Sequence, residues 1–99
     1  MVQSGDTTVI PEANEMSGEI ELTIVVNGQP TQVKAHLERA LETVIPPALE
    51  QTGNAGQPPS NWELRDAKGD ILPLERKVES FHFAPGTTLF LNLKAGIGG

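Results

Sequence analysis

An alternating segment that runs directly into an Asn-Gly pair places the strongest constraint on how this chain folds. Across Glu19–Val26 an apolar residue occupies every second position, which predicts a half-buried β-strand. Asn27-Gly28 follows at once, and a type I′ hairpin turn requires positive φ at both of its central positions. We therefore predict a β-hairpin whose return strand covers 29–35, with Val33 as its main inward residue.

The spacing of the apolar residues then changes from two to three or four. This spacing predicts an amphipathic helix with one apolar face, formed by Leu37, Ala40, Leu41, Val44, Ile45, Ala48 and Leu49. Proline lacks a backbone N–H and disrupts the interior of a helix. We therefore expect Pro46-Pro47 either to end this helix at Ile45 or to kink it before a further turn through Gln51.

The second half of the chain contains shorter elements. Turn-forming residues fill 52–61 and predict a loop. Alternation predicts a short strand over 62–66 and a last strand over 87–94, with Ile71-Leu72 as a brief returning strand between them. The remaining segment, 74–86, is a connector in which a short helix can form. Four side chains of this half are expected in the core or at its edge: Trp62, Val78, Phe81 and Phe83.

The order strand, strand, helix, strand, short strand, strand predicts an α+β fold, with one main helix on one face of a mixed sheet. The first and last strands are the most apolar, so we expect them to pair in parallel at the centre of the sheet. Residues 1–18 hold few large apolar groups and are expected to form a flexible N-terminal arm. The folded domain then covers 19–94, and 95–99 is expected to be a flexible tail.

Charge and composition argue against several classes of function. The net charge of −6 would repel the phosphate backbone of a nucleic acid. The absence of cysteine excludes disulfides, thiolate metal sites and a cysteine nucleophile. His36, His82 and Ser80 lack the neighbouring groups that a metal site or a catalytic triad needs, so we expect no enzyme activity and no metal. The apolar runs are too short for a bilayer and no signal peptide is evident, so we expect a cytoplasmic protein. We also expect it to be a monomer.

Residues 19–99 resemble ubiquitin and the ubiquitin-like modifiers, which implies a β-grasp fold. In 88–94 a threonine leads three alternating leucines and a lysine, as in the last strand of ubiquitin, and 64–69 is similar to its third strand and following turn. The chain ends in Gly98-Gly99, as these modifiers do. The small ubiquitin-related modifiers also carry a flexible N-terminal arm. The stretches 51–58 and 61–66 are more similar to bacterial ubiquitin-like proteins encoded beside E1-like and E2-like enzymes.

The resemblance implies a mechanism in which every catalytic group lies on another protein. An E1-like enzyme would use ATP to adenylate the carboxylate of Gly99 and would take the acyl group as a thioester. An E2-like enzyme would carry it to a target protein, and a deconjugating protease could reverse the step. Glycine has no Cβ, so Gly98-Gly99 suits a tail that must enter a narrow passage. The chain itself would bind no cofactor.

The resemblance also suggests which residues contact partners. By register, Arg65 and Asn92 replace the isoleucine and the valine of the apolar patch through which ubiquitin binds its partners. Phe90 faces outward on the last strand, beside Lys94 and Arg65, where it either contacts a partner or is covered by the N-terminal arm or by 74–86. The expected enzyme and partner contacts are Arg65, Phe90, Asn92, Lys94 and Ile97. Since the apolar patch is changed, we expect enzymes that are specific to this protein.

Several alternatives remain open at this stage. Lys68, in a predicted turn, is the best-placed acceptor lysine for chain formation, but it also fits a plain solvated turn lysine. A sulfur carrier shares the fold and the diglycine end and receives sulfur as a thiocarboxylate. A ubiquitin-like interaction module that is never activated would not need Gly98-Gly99. The two glycines could also belong to a linker, or result from trimming.

Overall fold

The computed structural model describes residues 18–96, which are built around a four-stranded mixed sheet. Its strands are β1 (Glu19–Val26), β2 (Gln29–His36), β3 (Trp62–Arg65) and β4 (Thr88–Leu93). They lie in the order β2-β1-β4-β3. β1 and β4 pair in parallel at the centre, and the two outer pairs are antiparallel. The predicted α+β class and the parallel central pair are both confirmed.

The first hairpin forms as the Asn-Gly pair predicts. Asn27 has φ 50° and Gly28 has φ 86°, so both central positions are in the left-handed region that a type I′ turn needs. Strands β1 and β2 remain in register from Val26 opposite Gln29 to Glu19 opposite His36. This register places alternate residues of both strands on one buried face.

The main helix begins later than the sequence predicts. Helix α1 covers Ile45–Gln51, and a 3₁₀ turn, Leu41–Val44, precedes it. The prediction that Pro46-Pro47 would end or kink a helix starting at Leu37 is wrong. The prolines occupy the first turn of α1, where backbone N–H groups have no acceptor within the helix, so their missing N–H costs nothing there. Of the earlier apolar residues, Leu37 lies in a turn, Ala40 forms an isolated bridge with Lys77, and the others belong to the 3₁₀ segment.

The connector before β4 forms a single 3₁₀ turn, Val78–Phe81, as its sequence allows. Val78 is buried, and Phe81 and Phe83 pack against the core. The predicted return strand at Ile71-Leu72 is reduced to one isolated bridge, in which Ile71 pairs with Arg65. The third strand likewise ends at Arg65, one residue short of the prediction, because the turn over 66–70 begins there.

The core lies between the sheet and α1 and is entirely apolar in the described part of the chain. Alternate residues of β1 and β4 supply its centre, and α1 with its preceding 3₁₀ turn covers them. Its most buried large members are Trp62, Leu22, Ile24, Leu41, Ile45, Leu49, Leu64, Leu89 and Leu91. Within 18–96 no helix has the length and apolar character needed to cross a membrane.

Candidate functional site

The face of the sheet opposite the core carries a row of five residues that crosses every strand. Pro30, Val25, Phe90 and Arg65 are successive cross-strand partners, and Ile71 continues the row through its bridge to Arg65. Cross-strand partners project from the same face of a sheet. With strands about 4.8 Å apart, this outer row extends about 19 Å. Among the described residues it is the longest row of cross-strand partners on this face.

Most of the outer row is apolar and reachable from solvent. Val25, Phe90 and Arg65 are half-buried, Pro30 is exposed, and Ile71 is 57% exposed. Ile71 is the one large apolar side chain in 18–96 with such exposure. A contiguous apolar strip with a polar surround is typical of a surface that binds another protein.

Arg65 is held in place by its own neighbours within the outer row. Its Nε donates to Glu63 Oε2 at 2.8 Å, and its Nη2 forms an ion pair with the same oxygen at 2.8 Å. Its Nη1 donates to the carbonyl of Gly69 at 2.6 Å. The guanidinium has five N–H donors, so some remain free for a partner. Arg65 therefore presents a fixed cation beside Phe90 and also braces the following turn.

The turn over 66–70 projects Lys68 next to the outer row. Asp66 Oδ1 accepts hydrogen bonds from the backbone N–H of Lys68 at 2.9 Å and of Asp70 at 3.0 Å. Gly69 has φ 88°, a conformation that favours glycine. Lys68 is exposed at the tip of this ordered turn. The predicted acceptor is therefore accessible, with its backbone held by a side-chain cap.

The tail leaves from the end of the central strand β4. The backbone N–H of Lys94 donates to the carbonyl of Asn61 at 2.8 Å, which fixes the chain to the loop before β3. Lys94 lines a cavity beside Trp62, away from the outer row. Beyond it, Gly96 has φ 85°. Ile97, Gly98 and Gly99 lie outside the described residues, as do the first 17 residues of the expected N-terminal arm.

The structure therefore brings three of the five predicted contacts together. Phe90 lies opposite Arg65, and Asn92, exposed, follows two positions later opposite Glu63. The other apolar members of the outer row were not predicted from the sequence. Val25 is the one apolar residue in the outward register of β1 and could have been noticed from that position. Ile71 joins the row only through a bridge whose register the sequence does not reveal.

The fold has counterparts of known structure. A designed protein based on ubiquitin superposes with a TM-score of 0.66 at 26% identity, over 83% of this chain and 96% of the other. The ubiquitin of Caldiarchaeum subterraneum gives 0.64 at 22% identity, over 83% and 100% of the two chains. A chain of the pParkin-pUb-UbcH7 complex gives 0.64 at 16% identity, over 80% of this chain and 24% of that one. The protein thus contains a ubiquitin-like β-grasp domain.

The sequence defines the family more narrowly. Residues 15–99 match the family described as "Protein of Unknown function (DUF2604)", and the chain belongs to that family. The chain is also 50% identical over 82 residues to the uncharacterized protein y4jI of Sinorhizobium fredii. That match covers 83% of this chain and 63% of the relative, so the chain spans less than two thirds of the relative's length.

Proposed function

We propose that this chain is a ubiquitin-like protein modifier that is activated at Gly99 by an E1-like enzyme and conjugated to targets through an E2-like enzyme. The observation that supports it most is the position of the tail on a ubiquitin-like fold. The tail follows the central parallel strand, and Lys94 is tied to Asn61 at its base. The five residues after Lys94 can extend at most about 17 Å. That reach lets Gly99 enter a buried site while the domain remains outside.

The chemistry requires nothing from this chain except its terminal carboxylate. A carboxylate oxygen of Gly99 attacks the α-phosphorus of ATP, and pyrophosphate leaves. A cysteine thiolate of the enzyme then attacks the acyl carbon and AMP leaves, which forms a thioester. After transfer to the E2-like enzyme, an amine of the target attacks the thioester and the thiolate leaves, which produces an amide bond.

The outer row is the surface that we assign to enzyme recognition. Phe90 and Ile71 offer apolar area, and Arg65 adds a cation whose position is set by Glu63 and Gly69. A fixed arginine next to an aromatic side chain is typical of the few residues that dominate a protein interface. Asn92 and Arg65 are polar where ubiquitin has a valine and an isoleucine, so the enzymes should be specific to this protein.

A ubiquitin-like interaction module that is never activated is a second candidate. It is favoured by the lengths of two matched proteins. The match to the Sinorhizobium relative covers 63% of that protein, and the match to the parkin-containing complex covers 24% of a longer chain. In both cases the matched region forms part of a larger polypeptide. A module of this kind would bind its partner through the outer row, independently of Gly99.

Tryptic mapping of conjugates tests the modifier proposal. Because Lys94 is the last basic residue, trypsin should leave the branch Ala-Gly-Ile-Gly-Gly on the acceptor lysine of a target. The protein would be incubated with the E1-like and E2-like enzymes of its own source, ATP and a cell extract. Branched peptides that require Gly99 support conjugation. If the tail instead gains mass equal to the exchange of one oxygen for sulfur, the chain is a sulfur carrier. If neither product forms and Gly99 deletion leaves partner binding intact, the interaction module is favoured.

The role of Lys68 can be tested in the same reaction. Lys68→Arg keeps the positive charge but removes the primary amine. We expect it to abolish branched peptides that map to this chain, if the protein forms chains through Lys68. Lys34→Arg is the matched control, because Lys34 is also exposed but lies on β2, the strand at the opposite edge of the sheet. Equal branching in the two variants would exclude Lys68 as the acceptor.

A further inference from the structure

A cavity of about 650 Å³ opens at the end of the sheet where β1 begins. Ile20, Leu37, Val78 and Phe83 supply its apolar wall, and all four lie in the core or pack against it. Its volume falls within the range of about 300–1,000 Å³ that is typical of ligand pockets. The cavity is on the core side of the sheet, because Ile20 follows the same alternation as the buried residues of β1. The outer row is on the opposite face.

The described part of the chain starts directly at this cavity. The carbonyl oxygen of Gly18 accepts a hydrogen bond from the backbone N–H of Leu37 at 2.8 Å. This bond continues the register of β1 and β2 one position beyond Glu19 opposite His36. Gly18 and Leu37 therefore lie opposite each other, on the core-facing side of the pair. Because Leu37 lines the cavity, residues 1–17 must approach the domain at the edge of this cavity.

Met16 is the residue of this preceding segment that best suits the cavity. It is the large apolar side chain nearest to Gly18 in the sequence, and two residues span at most about 7 Å. In an extended chain its side chain projects to the same face as that of Ile20, four positions later. Methionine is unbranched and flexible, so it fills irregular apolar spaces. The match to the family model begins at residue 15 and therefore includes Met16.

Charge also favours this segment as the occupant. Residues 1–17 contain three side-chain carboxylates and no Lys, Arg or His. Arg39 and Gly18 line one surface depression, and the carbonyl of Arg39 accepts from the N–H of Val78 in the cavity wall at 2.9 Å. Glu15, three residues before Gly18, can therefore approach the Arg39 guanidinium while the residue after it enters the cavity. The depression has two carboxylates of its own, so this ion pair orients the segment more than it stabilises it.

We propose that the segment 15–17 closes over this cavity and places the Met16 side chain inside it. The thioether lies against the Phe83 ring, a contact that sulfur and aromatic rings favour, and its methylenes cover the aliphatic wall. Because Met16 belongs to the same chain, its local concentration at the cavity is in the millimolar range or above, whatever the concentration of the protein. A separate peptide would have to displace it. The contact does not depend on the activation of Gly99.

The two methionines of the chain make a direct test feasible. Labelled with ¹³C at the ε-methyl group, the full chain gives two methyl resonances, from Met1 and Met16. We expect the Met16 methyl resonance to be shifted from the position of free methionine by the ring current of Phe83, and to show NOE cross-peaks to Leu37. Both effects should persist when the protein is diluted, because the contact is within one chain. Cross-peaks that disappear on dilution would assign the cavity to a second copy of the chain and overturn the proposal.

Two pairs of matched variants locate the contact. Phe83→Ala should return the Met16 methyl resonance towards the free position, whereas Phe90→Ala, on the opposite face, should leave it unchanged. Met16→Ser should speed hydrogen exchange of the Leu37 amide several-fold, because the docked side chain holds the adjoining carbonyl that accepts this proton, and Met1→Ser should not. If Phe83→Ala does not fold, this second pair decides. Unchanged exchange in Met16→Ser, or equal effects of the two phenylalanine variants, would overturn the proposal. A Met16 methyl at the free position would also overturn it and leave the cavity open to a partner protein.

Discussion

Leu91→Ala is expected to be among the most destabilising single substitutions in the sheet. Leu91 is 0% exposed and lies between Val26 on β1 and Leu64 on β3. Removing a fully buried leucine side chain costs about 3 kcal/mol, from lost burial and from the cavity left behind. At about 0.05–0.15 kcal/mol per residue, the free energy of unfolding of a domain this size is about 4–12 kcal/mol. The substitution should therefore remove a large share of it.

Urea denaturation followed by Trp62 emission measures this effect. Trp62 is buried in the same core and is the one tryptophan, so its emission reports on the unfolding of this core. With a urea m-value of about 1 kcal/mol/M, the midpoint should fall by about 3 M. Asn92→Ala is the matched control, because Asn92 is the next residue on β4 and is exposed. It should change the stability by less than about 0.5 kcal/mol. Equal losses in the two variants would refute the assigned register of β4.

Three further substitutions test local features. Gly28→Ala should lower the free energy of unfolding by about 1–2 kcal/mol, because φ at Gly28 is 86°. An unchanged free energy of unfolding would exclude the type I′ turn. Arg65→Ala should lower the free energy of unfolding by less than about 1 kcal/mol, because its ion pair with Glu63 is partly solvated. It should nevertheless speed amide hydrogen exchange in the turn over 66–70. Unchanged exchange would show that Arg65 does not brace this turn. His82→Gly should stabilise the protein by up to about 1 kcal/mol, because His82 has φ 56°, in the left-handed region that favours glycine. A loss of stability would show that this backbone conformation does not strain His82.

Features encoded within a few consecutive residues could be predicted from the sequence. The alternation in Glu19–Val26 and the Asn27-Gly28 pair are local signals, and the structure contains the strand and turn that they indicate. The same holds for β4, whose alternating leucines point to the core. Pro46-Pro47 misled the prediction because proline is compatible with the first turn of a helix as well as with its end. The pattern alone did not show which of the two applied.

Features that depend on the exact partners of a single residue could not be predicted, although the parallel pairing of the first and last strands was. Ile71 joins the outer row only because the turn over 66–70 brings it opposite Arg65. The core position of Trp62 was expected. That its indole N–H has no hydrogen-bond partner within 18–96 depends on every neighbour that packs around the ring. Phe90 and Arg65 were predicted to form one contact surface because of the resemblance to ubiquitin. Their adjacency in the structure is consistent with that choice, while their role in recognition stays a prediction.

Thioester formation tests the proposed activation most directly. The protein would be incubated with the E1-like enzyme of its own source and ATP, and the products separated without a reductant. We predict an adduct between the two proteins that requires ATP, that a thiol reductant cleaves, and that disappears when Gly99 is deleted. No adduct, or an adduct that forms equally well after deletion of Gly99, would contradict activation of the tail.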